Sequence, residues 1–273
     1  MNAEQITQAV AQLLPAWKMH ARLEGLAPGC RPTSRTEAYQ TQRALFEATG
    51  EPALGWKIAA TSQAGQQHIG VSGPLAGRLS ASRCLADNSE LSLTNNYMSV
   101  IEAEFAFLMG RDVGDAPSGY PGRSERSETP LTMSQVMDCV SGLHVAIEVP
   151  NSRYIDFAGA GEAQLIADFA CACYVVLGPR APDDWRDVDL SQHSVSVRRG
   201  DETVATGKGA NVLGDPRLGL TWLANELLSQ GEQLKAGEVV MTGTCVVPVP
   251  VFAGDRMTAD FGPFGQVSAR FKA

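Results

Sequence analysis

Long hydrophobic runs are missing from this chain. No stretch of about 18 apolar residues occurs in its 273 residues, so no transmembrane helix is expected. Positive charge is also scarce. Lys plus Arg total 22 against 30 Asp plus Glu, and the net charge of −8 argues against a nucleic-acid or anionic-membrane partner. The opening MNAEQITQAVAQLL lacks a basic start and an apolar core, so it does not read as a secretory signal. Six cysteines occur, none in a C-x-x-C pair, and the four histidines are scattered without H-x-x-x-H spacing. Both patterns argue against zinc. Cys171 and Cys173 lie in the apolar FACACYVVLG and read as free, buried thiols of a reducing cytoplasm. No G-x-G-x-x-G opens a helix, and no Walker A loop or G-x-S-x-G elbow is present. GKGAN, Gly207–Asn211, is a lone glycine-rich patch, and no internal repeat is visible.

What is present is an ordinary globular balance, 44% hydrophobic and 19% charged. Residues 4–24 carry Ile6, Val10, Leu13, Leu14, Trp17 and Ala21 at helical spacing, with a kink expected at Pro15. Ser34 and Glu37 form a capping-box pattern for a second helix that Gly50 should stop. ALGWKIAATS reads as a strand leading to a short helix near Gln63–Ile69, and Gly73-Pro74 marks a loop. SVIEAEFAFLMG alternates with period two, Ile101, Ala103, Phe105 and Phe107 on one face, Glu102, Glu104, Ala106 and Leu108 on the other. Residues 111–130 form a Gly-, Pro- and Ser-rich loop, either a surface insertion or an active-site lid. Thr132 and Gln135 start another helix, with Gly142 as its stop, and LHVAIEVP follows as a strand. The second half is strand-rich, from DFACACYVVLG to QVSARFKA. One helix interrupts it, capped by Asp215, begun by Pro216 and stopped by Gly231. The sum is an α+β chain. A helical portion, 1–54, precedes a β-rich portion, 55–273, that carries the candidate chemistry, in one continuous structural unit.

Glu102 and Glu104 are the sharpest chemical signal. At i and i+2 on an apolar strand they share a face, where two like charges repel and raise a pKa. A divalent cation between them removes the penalty, and oxygen ligands favour Mg²⁺, Mn²⁺ or Ca²⁺ over zinc. The alternative is a solvated strand face with two ordinary glutamates. Glu148, at the end of VAIEVP, joins them if its strand lies alongside. Lys57 in GWKIAA is either desolvated, with a lowered pKa suited to proton transfer, or snorkelling from a half-exposed strand. Arg153, next to Ser152 in NSRY, either anchors a substrate carboxylate or pairs with a metal-binding glutamate. Asp168 reads as a buried, hydrogen-bonded structural carboxylate. Thr242, Gly243 and Thr244 either line a pocket or form a plain loop.

These segments together resemble the fumarylacetoacetate hydrolase superfamily, in particular its 2-keto-4-pentenoate hydratase and 4-oxalocrotonate decarboxylase branch. The matching pieces are GWKIAATS, GPLAGRL, VIEAEFAFLMGRDV, AIEVPNSRYIDF, ADFACACYVVLG, GKGANVLGDPRLGLTWLANELLSQGEQLKAGEVVMTGT and GDRMTADFGPFGQVSARF, in the family's order. The resemblance implies a mixed β-roll or β-sandwich-like barrel of the fumarylacetoacetase C-terminal type, with the N-terminal helices packed around it. It implies Mg²⁺ or Mn²⁺ held by Glu102, Glu104 and Glu148, with Lys57 beside the substrate; Arg153, Ser152 and Thr244 are the candidate substrate contacts from the residues themselves. It implies a lyase for 2-oxo acids or their dienols, a cytoplasmic homodimer or larger homo-oligomer, and association with a pathway enzyme. Decarboxylation, acylpyruvate hydrolysis using a His20–Glu24 pair, and a supporting non-catalytic subunit are the competing readings. One departure stands out. Many members carry an acid in a P-D-F-G-like segment where this chain reads Gly73-Pro74-Leu75-Ala76-Gly77. The 111–130 loop also looks longer than is usual for the branch.

Overall fold

The computed structural model describes residues 1–114 and 129–273, so most of the 111–130 loop lies outside the described residues. Helix α1 (Ala3–Met19) begins with a capping box between Asn2 and Gln5. It runs through Pro15 and ends at His20, whose φ of 55° is left-handed. The helical stretch expected over 4–24 is therefore shorter. Helix α2 (Arg35–Thr49) follows the capping pattern, with the Ser34 side chain accepting from the Glu37 N–H and Gly50 closing it at φ 72°.

The β-rich part contains β1 (Ala53–Ala59), α3 (Gln63–His68), β2 (Leu75–Ser80), β3 (Cys84–Ala86), β4 (Ser89–Ser92) and β5 (Val100–Met109). After these come α4 (Met133–Met137), β6 (Val140–Val149), α5 (Glu162–Ala167), β7 (Tyr174–Arg180), β8 (Ser194–Arg199) and β9 (Glu202–Lys208). The chain closes with α6 (Pro216–Ser229), β10 (Val239–Thr244), β11 (Val249–Pro250), β12 (Arg256–Asp260) and β13 (Gln266–Lys272).

Among the described residues the strands form two sheets. The larger has the order β2-β1-β10-β5-β6-β7-β3, with β11 beside β5, and the smaller has the order β4-β13-β12-β8-β9. The period-two pattern of β5 sorts its side chains between two cores. Phe105 and Phe107 point to the smaller sheet and share a core with Val197, Met257 and Val267. Ala106 points the other way, into a core with Met241 and with Ala9, Leu13, Trp17 and Leu45 of the N-terminal helices. The larger sheet is thus covered on both faces, a half-barrel with helices behind it. Burial of the Trp17 and Leu13 side chains there stabilises the helix–sheet contact by roughly 1.5–3 kcal/mol each.

Two local expectations need correction. Helix α4 ends at Met137, with Asp138 as its cap, and Gly142 lies within β6 opposite Leu108. Asp168 is not in a strand. It caps α5, and a left-handed turn separates it from β7. A run of apolar residues does not by itself distinguish a buried turn from a buried strand.

Candidate active site

Strand register assembles the carboxylates. Glu102 on β5 lies directly opposite Glu148 on antiparallel β6, and Glu104 lies opposite Thr244 on β10. Directly opposed side chains stand on one face with closely spaced Cβ atoms. A carboxylate oxygen from each of Glu102, Glu104 and Glu148 falls within 4.8 Å of the others. Glu104 and Glu148 are fully buried, while Glu102 is half-buried.

The hydrogen bonding of this cluster is incomplete. The Gly243 N–H donates to Glu104 Oε2 at 2.7 Å. Glu104 Oε1 and Glu148 Oε2 have no hydrogen-bond donor among the described residues, and Glu148 Oε1 has no partner beyond the Lys57 ammonium. Lys57 Nζ lies 3.2 Å from Glu148 Oε1 as an ion pair and donates to the Ala170 carbonyl at 3.1 Å. Buried charged oxygens without donors are expensive, by about 1–3 kcal/mol or more each. Under-satisfied carboxylate oxygens of hard donor chemistry, brought within 4.8 Å of one another, fit a divalent cation of the Mg²⁺ or Mn²⁺ type.

Electrostatics follow from the same crowding. Burial, then the neighbouring Glu148 and Glu102, push the Glu104 carboxyl well above its ordinary range. Burial raises Glu148 to about 7, with Lys57 pulling down and Glu102 pushing up. Burial opposes the charge on Lys57, but Glu148, Glu102 and Glu104 outweigh it and hold the ammonium above its ordinary value. The expectation that desolvation lowers the Lys57 pKa is therefore corrected. The lysine is desolvated, at 2% exposure, but three carboxylates surround it.

The backbone that holds Lys57 is unusual. Phe169, Ala170 and Cys171 adopt φ of 55°, 48° and 65°, a left-handed run without glycine. Each such residue is disfavoured by roughly 1–2 kcal/mol. The run is braced by Arg153, whose Nε donates to Asp168 Oδ1 at 2.5 Å and whose remaining nitrogens donate to the Ala172 and Asp168 carbonyls. It also needs Gly77, which pairs with Lys57 across β1 and β2. A Cβ on Gly77 would stand 1.9 Å from the Phe169 carbonyl oxygen.

A cavity of about 760 Å³ opens beside the cluster. Lys57, Glu102, Ala170, Cys171 and Thr244 form part of its wall, next to the buried Glu104 and Glu148. Burial pushes the Cys171 thiol up to about 11. The rest of the wall is largely apolar and comes from α3, from Ile58, Leu75 and Val100 on strands, from Leu165 on α5, and from loops.

The expected substrate contacts divide. Thr244 lines the cavity, although its hydroxyl donates to the Val246 carbonyl at 2.7 Å. Arg153 and Ser152 do not line it. Arg153 is 4% exposed and committed to Asp168, and Ser152 Oγ lies 3.5 Å from Asp168 Oδ2. Their assignment as substrate contacts is corrected on that ground. Asp168 is the buried structural carboxylate the sequence suggests. The His20–Glu24 pairing also fails, because α1 ends before His20 and the imidazole borders a separate pocket with Asn96 and Asn151. Sequence reasoning missed the Ala170 carbonyl and the Gly243 N–H, both backbone groups. The TGT segment offered a faint signal for the second and nothing offered one for the first.

Comparison with known proteins shows the family. The family model for the fumarylacetoacetate (FAA) hydrolase C-terminal domain matches residues 82–272. The chain is 30% identical over 269 residues to 2-keto-4-pentenoate hydratase 1 of Dechloromonas aromatica (strain RCB), covering 97% of each chain. It is 32% identical over 238 residues to the 4-oxalocrotonate decarboxylase of Pseudomonas sp. (strain CF600), covering 86% of this chain and 84% of the relative. Its fold matches the solved 4-oxalocrotonate decarboxylase from Pseudomonas putida G7, complexed with magnesium and adipate, at a TM-score of 0.85 and 27% identity over 99% of this chain and 98% of that one. The chain belongs to the fumarylacetoacetate hydrolase family.

Proposed function

We propose that this chain is a divalent-metal-dependent hydro-lyase. In this reading it hydrates 2-hydroxypenta-2,4-dienoate, the enol of 2-keto-4-pentenoate, to 4-hydroxy-2-oxopentanoate in aromatic catabolism. The carrying observation is the largely buried Glu102–Glu104–Glu148 cluster, whose oxygens are only partly satisfied, with Lys57 at its edge. Near-full-length likeness to a hydratase supports the choice of reaction.

Glu102, Glu104 and Glu148 would hold Mg²⁺ or Mn²⁺. When bound, the cation would supply a Lewis acid that favours the enolate electron distribution of a 2-oxo acid. Lys57 holds a proton at Nζ on the cavity wall, beside the carboxylates and within reach of a substrate carbon chain. The Ala170 carbonyl orients that ammonium. Thr244 contacts the substrate from the cavity wall, and the apolar lining limits bulk water. Arg153 and Ser152 position the left-handed turn through Asp168. The same reading expects a cytoplasmic homodimer or larger homo-oligomer, associated with a pathway enzyme.

Decarboxylation of 4-oxalocrotonate is the competing reading, favoured by the likeness to the solved decarboxylase. Both reactions use the same electron sink, so the product decides. Metal-stripped protein is assayed with and without Mg²⁺ or Mn²⁺ on 2-hydroxypenta-2,4-dienoate, 4-oxalocrotonate and an acylpyruvate. Metal-restored hydration of the dienoate is the expected result. Release of CO₂ from 4-oxalocrotonate with no hydration would replace the hydratase by the decarboxylase. Inactivity on all three substrates, with no metal uptake, would overturn the enzyme reading.

A further inference from the structure

The cavity is far larger than the short dienoate needs. About 760 Å³ falls within the roughly 300–1,000 Å³ typical of sites that enclose drug-sized ligands. The wall leading away from Lys57 and Glu102 includes Ile69, Leu75, Phe157, Leu165 and Val246. Apolar side chains continue to the mouth, where Val247 is 79% exposed and Tyr97 is 45% exposed. Large exposed apolar groups at the rim of a concave site mark it as a surface built to be covered by ligand. Among the described lining residues no arginine occurs, and no lysine besides Lys57. His68 is the remaining cationisable side chain there, exposed on α3 with its ring edge-on to Phe157 at 6.0 Å. A second substrate carboxylate would therefore enter an apolar channel without a buried cation, at a heavy desolvation penalty.

We propose that the preferred substrates are 2-oxo acids or dienols with a single carboxylate and an extended apolar tail, alkyl or aryl, lying along the Leu75–Phe157–Val246 wall. This rests on the metal-dependent reading of the carboxylate end given above. The tail contributes binding through burial alone, so each methylene that enters the channel should tighten binding about fourfold.

The test is calorimetric titration of the Mg²⁺-loaded protein with pyruvate, 2-oxobutanoate, 2-oxohexanoate, 2-oxooctanoate and 4-phenyl-2-oxobutanoate. 2-Oxoadipate serves as the dicarboxylate of matched length. The expected result is a Kd that falls stepwise along the alkyl series and with the phenyl group, and 2-oxoadipate binding at least tenfold more weakly than 2-oxohexanoate. A Kd that stays flat along the series while pyruvate binds overturns the tail proposal and leaves the metal-site reading standing. Tighter binding of 2-oxoadipate also overturns it and points to His68 as a carboxylate partner. If the protein takes up Mg²⁺ but binds none of these acids, or takes up no metal, the underlying reading fails and the tail proposal falls with it.

Discussion

Acid should loosen the proposed metal site, because protons and the cation compete for the same oxygens. Without metal, Glu148 is raised from its ordinary 4.5 to about 7, and Glu104 is also raised, in both cases first by burial. Metal binding requires ionised carboxylates, so uptake must expel whatever protons they carry. Below pH 7 the removal of the Glu148 proton weakens binding about tenfold per pH unit, at ~1.4 kcal/mol each. A second proton on Glu104 makes the loss about a hundredfold per unit. The sign for stability runs the same way. A carboxylate with a raised folded-state pKa stabilises the metal-free fold below its ordinary value, and that contribution is lost as pH rises toward about 7. Metal cancels this loss, so the metal-induced rise in Tm should grow between about pH 5.5 and pH 8. Titration calorimetry with Mg²⁺ in two buffers of different ionisation enthalpy counts the protons. Between about one and two should be released per ion near pH 6, and Glu148→Gln should lower the count. Equal Kd values at about pH 6 and pH 8 with no proton release would refute the assignment of these carboxylates as the ligands.

Glu104→Gln should abolish turnover and weaken Mg²⁺ binding by more than the ~10–100-fold of an outer-shell change, while the metal-free Tm holds or rises because a neutral amide replaces a carboxyl that burial disfavours ionising. Wild-type kcat in this variant would sink the metal assignment. Lys57→Ala should cut kcat by roughly 10²–10⁴ with metal affinity equal or tighter, since a competing cation beside Glu148 is lost; full activity would reduce Lys57 to a packing residue. Gly77→Ala should destabilise by roughly 1–3 kcal/mol, read by denaturant unfolding, because its Cβ meets a backbone oxygen that flexible side chains cannot yield for. Arg153→Ala should lower stability by about 3–5 kcal/mol by stranding the buried Asp168. If instead KM rises while Tm is unchanged, Arg153 is a substrate contact after all.

The site's side chains were legible where strand periodicity carried them. Glu102 and Glu104 alternate with Phe105 and Phe107, so their shared face followed from the spacing. Their meeting with Glu148 depended on the register of β5 with β6, which is fixed by long-range pairing and not by local pattern. The fold class was legible for the same reason, and the helix caps at Ser34 and Asp215 were local enough to read. The turn at Phe169–Cys171 was not. Its residues are apolar and non-glycine, so propensity favours a strand, and the left-handed path is held by the Arg153–Asp168 pair together with the space left at Gly77. That hidden turn also explains why Arg153 looked like a ligand. A buried arginine in a polar motif satisfies either role, and only the partner's location decides.

The missing acid between Gly73 and Gly77 has a counterpart in this packing. Leu75 presents an apolar side chain to the cavity, and position 77 has no room for any side chain because the Phe169 carbonyl fills the space. The close approach that excludes a side chain at Gly77 also brings the neighbouring Ala170 carbonyl to Lys57 Nζ. Strand β2 carries no acidic side chain, and the acceptor at the Lys57 ammonium is a backbone carbonyl on the turn. An acid there could hold or pass a proton, whereas a carbonyl can only orient the ammonium that donates to it. In the proposed reading, proton delivery to a substrate in this cavity then falls on Lys57, whose ammonium is held between the Ala170 carbonyl of the turn at 3.1 Å and Glu148 at 3.2 Å.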